Sequence, residues 1–169
     1  MIELTNVSKT YGGGNKAVDD LTWTIPDGSI TGFIGPNGAG KTTTIHMITG
    51  VLAPDEGQIK INGIDIMKDP IGAKKQFGFV PAVWILDEPM TGLDPKSSYV
   101  LKEMMHEHAS AGKTVVFSTH VLEVAEKLCD QICIINHGKQ LYEGTLGALQ
   151  DQHKGESLEE IFLAETSDE

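Results

Sequence analysis

Apolar and polar residues alternate from Ile2 to Lys9 and again along 18–25, with Tyr11-Gly12-Gly13-Gly14-Asn15 between them. A period of two predicts paired strands over 2–9 and 18–25. Asp27-Gly28 reads as a turn before the apolar strand Ile30–Ile34. A Gly-rich loop follows, and a helix is predicted from about Lys41 to Thr49, stopped by Gly50. Pro54-Asp55-Glu56-Gly57 is a second turn, and Gln58–Ile61 and Ile64–Ile66 flank Asn62-Gly63, a strong hairpin signal. A short helix near 70–76 leads into a strand at 77–80, and a strand at 83–87 follows almost at once.

Asp94-Pro95 opens another helix, Asp as N-cap and Pro at the first helical position, with Val100, Leu101, Met104 and Met105 as its apolar stripe. Thr114–Ser118 reads as a strand and Val121–Cys129 as a helix. Ile132–Ile135 and Gln140–Tyr142 read as a hairpin around His137-Gly138, and Leu146 begins a helix. Ser157-Leu158-Glu159-Glu160 is a capping box. Strands alternating with helices predict an α/β domain with a mainly parallel sheet. No repeat or interdomain linker interrupts residues 1–169, so a single domain is expected.

Composition narrows the function classes. The 169 residues carry a net charge of −11, which argues against direct nucleic-acid contact. No apolar run reaches membrane-spanning length, and Met1–Thr10 alternates like a strand rather than a signal peptide. A cytoplasmic protein is expected, with any membrane role exercised through a partner. Cys129 and Cys133 have no second pair and read as reduced, largely buried thiols. His46, His106, His108, His137 and His153 form no ligand set and read as solvated; His106 and His108, two apart on a helix, face different ways.

Three segments carry candidate chemistry. Gly35-Pro36-Asn37-Gly38-Ala39-Gly40-Lys41-Thr42 fits G-x-x-x-x-G-K-[ST] between a strand and a helix, the context a phosphate loop requires. Its glycines let backbone N–H groups turn toward phosphate, and the helix N-terminus adds partial positive charge. Lys41 reaches the terminal phosphates and the Thr42 hydroxyl can ligate Mg2+. Val83–Leu86 delivers Asp87 and Glu88 at a strand's C-terminal end, where open α/β sheets place ligands. Asp87 is the candidate Mg2+ holder and Glu88 the candidate general base. Ser118-Thr119-His120 ends a further strand, and His120 is a candidate to contact phosphate and orient water.

Together these segments resemble the nucleotide-binding domain of ATP-binding cassette (ABC) transporters, in order and over nearly the whole chain. The family fold is a P-loop NTPase core with a parallel sheet plus an N-terminal antiparallel β subdomain. Gly35 to Thr43 resembles its Walker A and Val83–Glu88 its Walker B with the catalytic glutamate. Gly92-Leu93-Asp94 resembles the D-loop, with Asp94 communicating across a dimer. His120 resembles the switch histidine and Tyr11 the aromatic that stacks on adenine. The resemblance implies ATP and Mg2+ as ligands, hydrolysis of ATP to energise transport, and transmembrane permease subunits as partners. It also implies a second nucleotide-binding domain, joined head-to-tail on ATP, and a peripheral position on the inner face of the cell membrane. Gly35 to Thr44 together with Pro89 to Pro95 resembles the exporter-like multidrug and antibiotic resistance branch. A soluble cassette acting on ribosomes or repair complexes fits less well, because no tandem cassette or coiled-coil insertion appears.

The sequence departs from the family in one place. The helical subdomain with its Leu-Ser-Gly-Gly-Gln signature is expected before Walker B and is missing at about 80–83; the Q-loop glutamine is unplaced, since Gln76 precedes the strand. Leu146-Gly147-Ala148-Leu149-Gln150 lies past His120 and is no substitute. Two parallel strands at 77–80 and 83–87 need a dozen or more connecting residues, which Pro81-Ala82 cannot supply. Either a segment is left out of the sequence as written, or a deletion has refolded locally. The alternative function is therefore an ATP-binding module without turnover, a deleted or regulatory cassette.

Overall fold

The structure, a computed structural model, describes residues 1–76, 82–153 and 156–166. The elements run β1 (Ile2–Tyr11), β2 (Asn15–Ile25), β3 (Ile30–Ile34), α1 (Lys41–Ile48), β4 (Glu56–Ile61), β5 (Ile64–Asp65) and α2 (Pro70–Lys75). They continue with β6 (Val83–Leu86), α3 (Pro95–Ser110), β7 (Thr114–Thr119), α4 (Leu122–Leu128), β8 (Gln131–Asn136), β9 (Lys139–Thr145), α5 (Leu146–Gln152) and α6 (Leu158–Thr166).

These strands form two sheets. The antiparallel sheet has the order β2-β1-β4-β5, and the five-stranded sheet has the order β6-β7-β3-β8-β9. In the latter, β6, β7, β3 and β8 are parallel and β9 is antiparallel at the edge. The α/β class and the added antiparallel β layer thus agree with the sequence reading. The strand expected at 77–80, with Pro81, lies outside the described residues. Strand β6 nevertheless runs parallel to β7, Val83 opposite Thr114 through Leu86 opposite Phe117.

Alternation along the five-stranded sheet feeds two cores. Phe33, Val116, Cys133 and Ile135 face the antiparallel sheet and α1, joining Trp23, Ile59, Met47 and Ile48. Val115, Phe117, Ile132 and Ile134 face the helical layer of Met105, Ala125, Leu128, Leu149 and Ile161. Trp23 and Phe33 stack at 4.6 Å across the first core. This sandwiching explains why β3 and β7 are buried at every position: a parallel strand covered on both faces has no solvent side.

Local signals decide the turns. Asn62-Gly63 and His137-Gly138 both have positive φ at their two residues, at 50° and 78° and at 45° and 80°. This is the type I′ backbone that matches strand twist. Asp94 caps α3, accepting from the backbone N–H of Lys96 at 3.0 Å and of Ser97 at 3.2 Å. Ser157 and Glu160 exchange the reciprocal bonds of a capping box.

Two expectations need correction. The apolar stripe of α3 is only partly inward: Met105 is buried, but Val100 and Met104 are nearly half exposed. The helix is rotated so that Met105 and His108, three apart, form the buried face. His108 is accordingly not solvated; it stacks on Trp84. Both cysteines are free and buried, and burial pushes both thiols up. Among the described residues no helix is long and apolar enough to cross a membrane.

Candidate functional site

The site lies at the C-terminal ends of β3, β6 and β7. Strand β3 ends at Ile34, and the chain turns through Gly35–Gly40 into α1. Gly40 sits at the N-cap with φ 107°, and among the described residues no side chain caps the helix. The first-turn N–H groups therefore have neither intrahelical acceptors nor a cap. They face a cleft of about 180 Å³ lined by Ala17, Asn37, Gly38, Gly40, Lys41, Thr42, Thr43 and Glu88.

The loop is packed from behind. A Cβ on Gly35 would come within 2.4 Å of the Ile135 carbonyl oxygen, and one on Gly40 within 2.3 Å of that of Ala17. The β8–β9 turn closes over it: Gly138 N–H donates to Ala39 O at 3.0 Å, and Asp19 N–H donates to Gly138 O at 2.8 Å. Ala39 also donates to Pro36 O within the loop at 3.2 Å.

Lys41 is 6% exposed, and its ammonium donates to the carbonyls of Gly35 at 2.7 Å and Pro36 at 3.1 Å. It lies 3.5 Å from Glu88 Oε1. Thr42 Oγ1 donates to Asp87 Oδ2 at 2.8 Å. His120 Nδ1 is 3.0 Å from Glu88 Oε2. The other carboxylate oxygen, Glu88 Oε1, is buried and, among the described residues, makes no hydrogen bond beyond its ion pair with Lys41.

Adjacent strand residues point to opposite faces, yet Asp87 and Glu88 both reach this cleft. The cause is backbone: Glu88 has φ 46°, a left-handed conformation just past the end of β6. Ser118, buried at the end of β7, meets both acids. Its hydroxyl donates to Asp87 Oδ1 and accepts from Glu88 N–H at 2.9 Å. In the sequence Ser118 stands only as part of a strand end, one of three hydroxyl residues of β7 with Thr114 and Thr119, and nothing local marks it out from them. Tyr11 ends β1 at 45% exposure, its hydroxyl 3.5 Å from Thr43 Oγ1.

The structure thus gathers Gly35–Thr43, Asp87, Glu88 and His120 around one cleft, with Tyr11 beside it. Gln76 is elsewhere, its side chain accepting from Asn62 Nδ2 at 2.9 Å. The donor set suits Mg2+: oxygens of Thr42 and Asp87 at a site built for an anion, the combination of few carboxylates and phosphate oxygens that Mg2+ prefers. Among the described residues no group of three or more His, Cys, Asp and Glu forms a metal cage by itself.

A family model described as ABC transporter matches residues 18–116. Nod factor export ATP-binding protein I of Sinorhizobium fredii is 30% identical, covering 95% of this chain and 67% of that protein. ABC transporter ATP-binding protein NatA of Bacillus subtilis is 26% identical, covering 97% of each. A solved structure described as the ATP binding subunit of an ABC transporter superposes with a TM-score of 0.90 at 25% identity, over 98% of this chain and 99% of that one. An ATP-binding cassette solved as a post-hydrolysis dimer with ADP and Pi shares the fold, with a TM-score of 0.73 at 19% identity, over 86% of this chain and 99% of that one.

Proposed function

The chain belongs to the ABC transporter family, and on that premise we propose that it binds and hydrolyses ATP as the energising subunit of a transporter. One observation carries this reading: an uncapped helix start, a buried lysine, and two acids turned to the same side converge on a single cleft.

The residues divide the work as follows. The N–H groups of the loop and the first turn of α1 receive the phosphates. Lys41 exchanges the carbonyls of Gly35 and Pro36 for phosphate oxygens. Tyr11 offers an exposed ring face for the adenine. Thr42 and Asp87 would hold Mg2+, which when bound would neutralise charge on the phosphoryl oxygens. Glu88 Oε1, released from its 3.5 Å ion pair when Lys41 turns to phosphate, accepts the proton of the attacking water. His120 holds the other oxygen and thereby aims the carboxylate.

Transmembrane permease subunits and a second cassette, joined head-to-tail on ATP, are the proposed partners, at the inner face of the membrane. The lengths of the alignments bear on how turnover is completed. The match to the Sinorhizobium protein runs over 232 positions while this chain supplies 95% of 169 residues, about 161, so about 71 positions have no counterpart here. We read these as the helical subdomain missing at about 80–83, so a complete, different second cassette would have to supply the signature segment to this chain's phosphate loop. Titration calorimetry tests the site: wild type binds Mg-ATP and Lys41→Ala loses most of that affinity. Equal affinity in the two overturns the assignment.

A further inference from the structure

We propose that Ser118 is a positioning residue that couples the metal-holding carboxylate to the water-activating one. The inference rests on the reading of the cleft as a Mg-ATP site, and goes beyond it in giving a role to a residue that has none in that reading.

The geometry is specific. Ser118 is fully buried, and one hydroxyl meets the two consecutive residues just past the end of the neighbouring strand β6. Its proton goes to Asp87 Oδ1, because an ionised carboxylate can only accept. Its lone pair takes Glu88 N–H at 2.9 Å. With Oδ1 so engaged, Asp87 keeps Oδ2 toward Thr42, which donates to it at 2.8 Å. The carboxylate therefore cannot rotate without breaking two hydrogen bonds. On the other side, the bond to Glu88 N–H anchors a residue whose left-handed backbone, φ 46°, is unfavourable for a side chain with a Cβ. That backbone is what brings Glu88 beside Lys41 and His120. A single hydroxyl thus fixes the direction of Asp87 and the backbone of Glu88 together.

The consequence is a split between phosphate binding and metal binding. The loop amides make no hydrogen bond to Ser118, and Lys41, held by the carbonyls of Gly35 and Pro36, reaches it only through the 3.5 Å ion pair to Glu88, so affinity for metal-free ATP should depend on it far less than the Mg2+ gain does. The gain in affinity on adding Mg2+ should depend on it, because Asp87 is then free to turn. Hydrogen-bonded supports behind metal ligands typically contribute 10–100-fold in metal affinity or activity.

The experiment measures ATP affinity of the full chain by titration calorimetry, with EDTA and with Mg2+, in wild type, Ser118→Ala, Ser118→Cys and Ser118→Thr. Ser118→Ala should keep the EDTA affinity and reduce the Mg2+-dependent gain about tenfold or more. Ser118→Thr, which retains the hydroxyl, should restore the gain. Ser118→Cys, close in shape with a much weaker donor, carries the same comparison if alanine lowers the melting temperature. A Mg2+ gain equal to wild type in Ser118→Ala and Ser118→Cys overturns the inference. So does a parallel loss of EDTA affinity, which would mark a merely structural role. If wild type itself binds no ATP in either buffer, the nucleotide reading of the cleft fails, and the inference with it.

Discussion

Trp84 and His108 stack face to face, ring centroids 4.2 Å apart and 19° from parallel, joining the strand that delivers the acids to the helix behind it. His108 is 9% exposed, and among the described residues its Nε2 has no hydrogen-bond partner. Burial, and secondarily Lys113, lowers its pKa below the ordinary histidine value. The folded protein thus holds His108 neutral where the unfolded chain already binds a proton.

Stability should therefore fall as pH drops below about 6.5, the ordinary histidine value, and stop falling on this account below the folded pKa, where both states are protonated. Urea denaturation at about pH 7.5 and 5.5 measures it. His108→Phe, which keeps an aromatic ring against Trp84, should show a smaller acid-induced drop in midpoint than wild type. An equal drop would show that His108 is not the titrating group.

Glu88→Gln should leave nucleotide binding intact and lower turnover by about 10²–10⁴-fold, the range typical of a lost general base. Phosphate release by the assembled transporter is the measurement. Turnover at wild-type level would remove Glu88 from the role of base.

Gly38 and Gly40 both have positive φ but differ in surroundings. A Cβ on Gly38 meets nothing within 4 Å, whereas one on Gly40 meets the Ala17 carbonyl oxygen at 2.3 Å. Gly38→Ala should cost about 1–2 kcal/mol, the penalty of left-handed backbone. Gly40→Ala should cost clearly more, because β2 must also move. Thermal melts of the two variants decide this, and equal melting temperatures would contradict it.

Tyr11→Ala should weaken ATP and GTP to a similar degree, by about 1–3 kcal/mol, since stacking uses a ring face that every base has. Tyr11→Trp should bind both. Competition titration with the two nucleotides separates this from a base-specific contact, which would spare one of them.

Much of this architecture is legible in the chain because its signals are local. Asn62-Gly63 and His137-Gly138 announce tight hairpins by residue type, and Asp94-Pro95 announces a helix start; each is realised. The phosphate loop is equally readable, since its spacing sits between an apolar strand and a helix. What is not legible depends on contacts distant in sequence. Strand alternation alone would send Asp87 and Glu88 to opposite faces; the left-handed turn at Glu88 and the hydroxyl of Ser118 reverse that. The burial of His108 was hidden for the same reason. A histidine on a polar helix reads as solvated until Trp84 is placed beside it.

The β8–β9 turn gives the site a built-in reporter. The Gly138 amide hydrogen is held by the carbonyl of Ala39, inside the loop that would wrap phosphate, while its own carbonyl is held from β2 by Asp19. Such a hydrogen exchanges with deuterated solvent only when the loop lifts away from the turn. Its exchange rate, followed with and without nucleotide, would count the openings of the phosphate loop directly, from a residue that touches neither ligand nor metal.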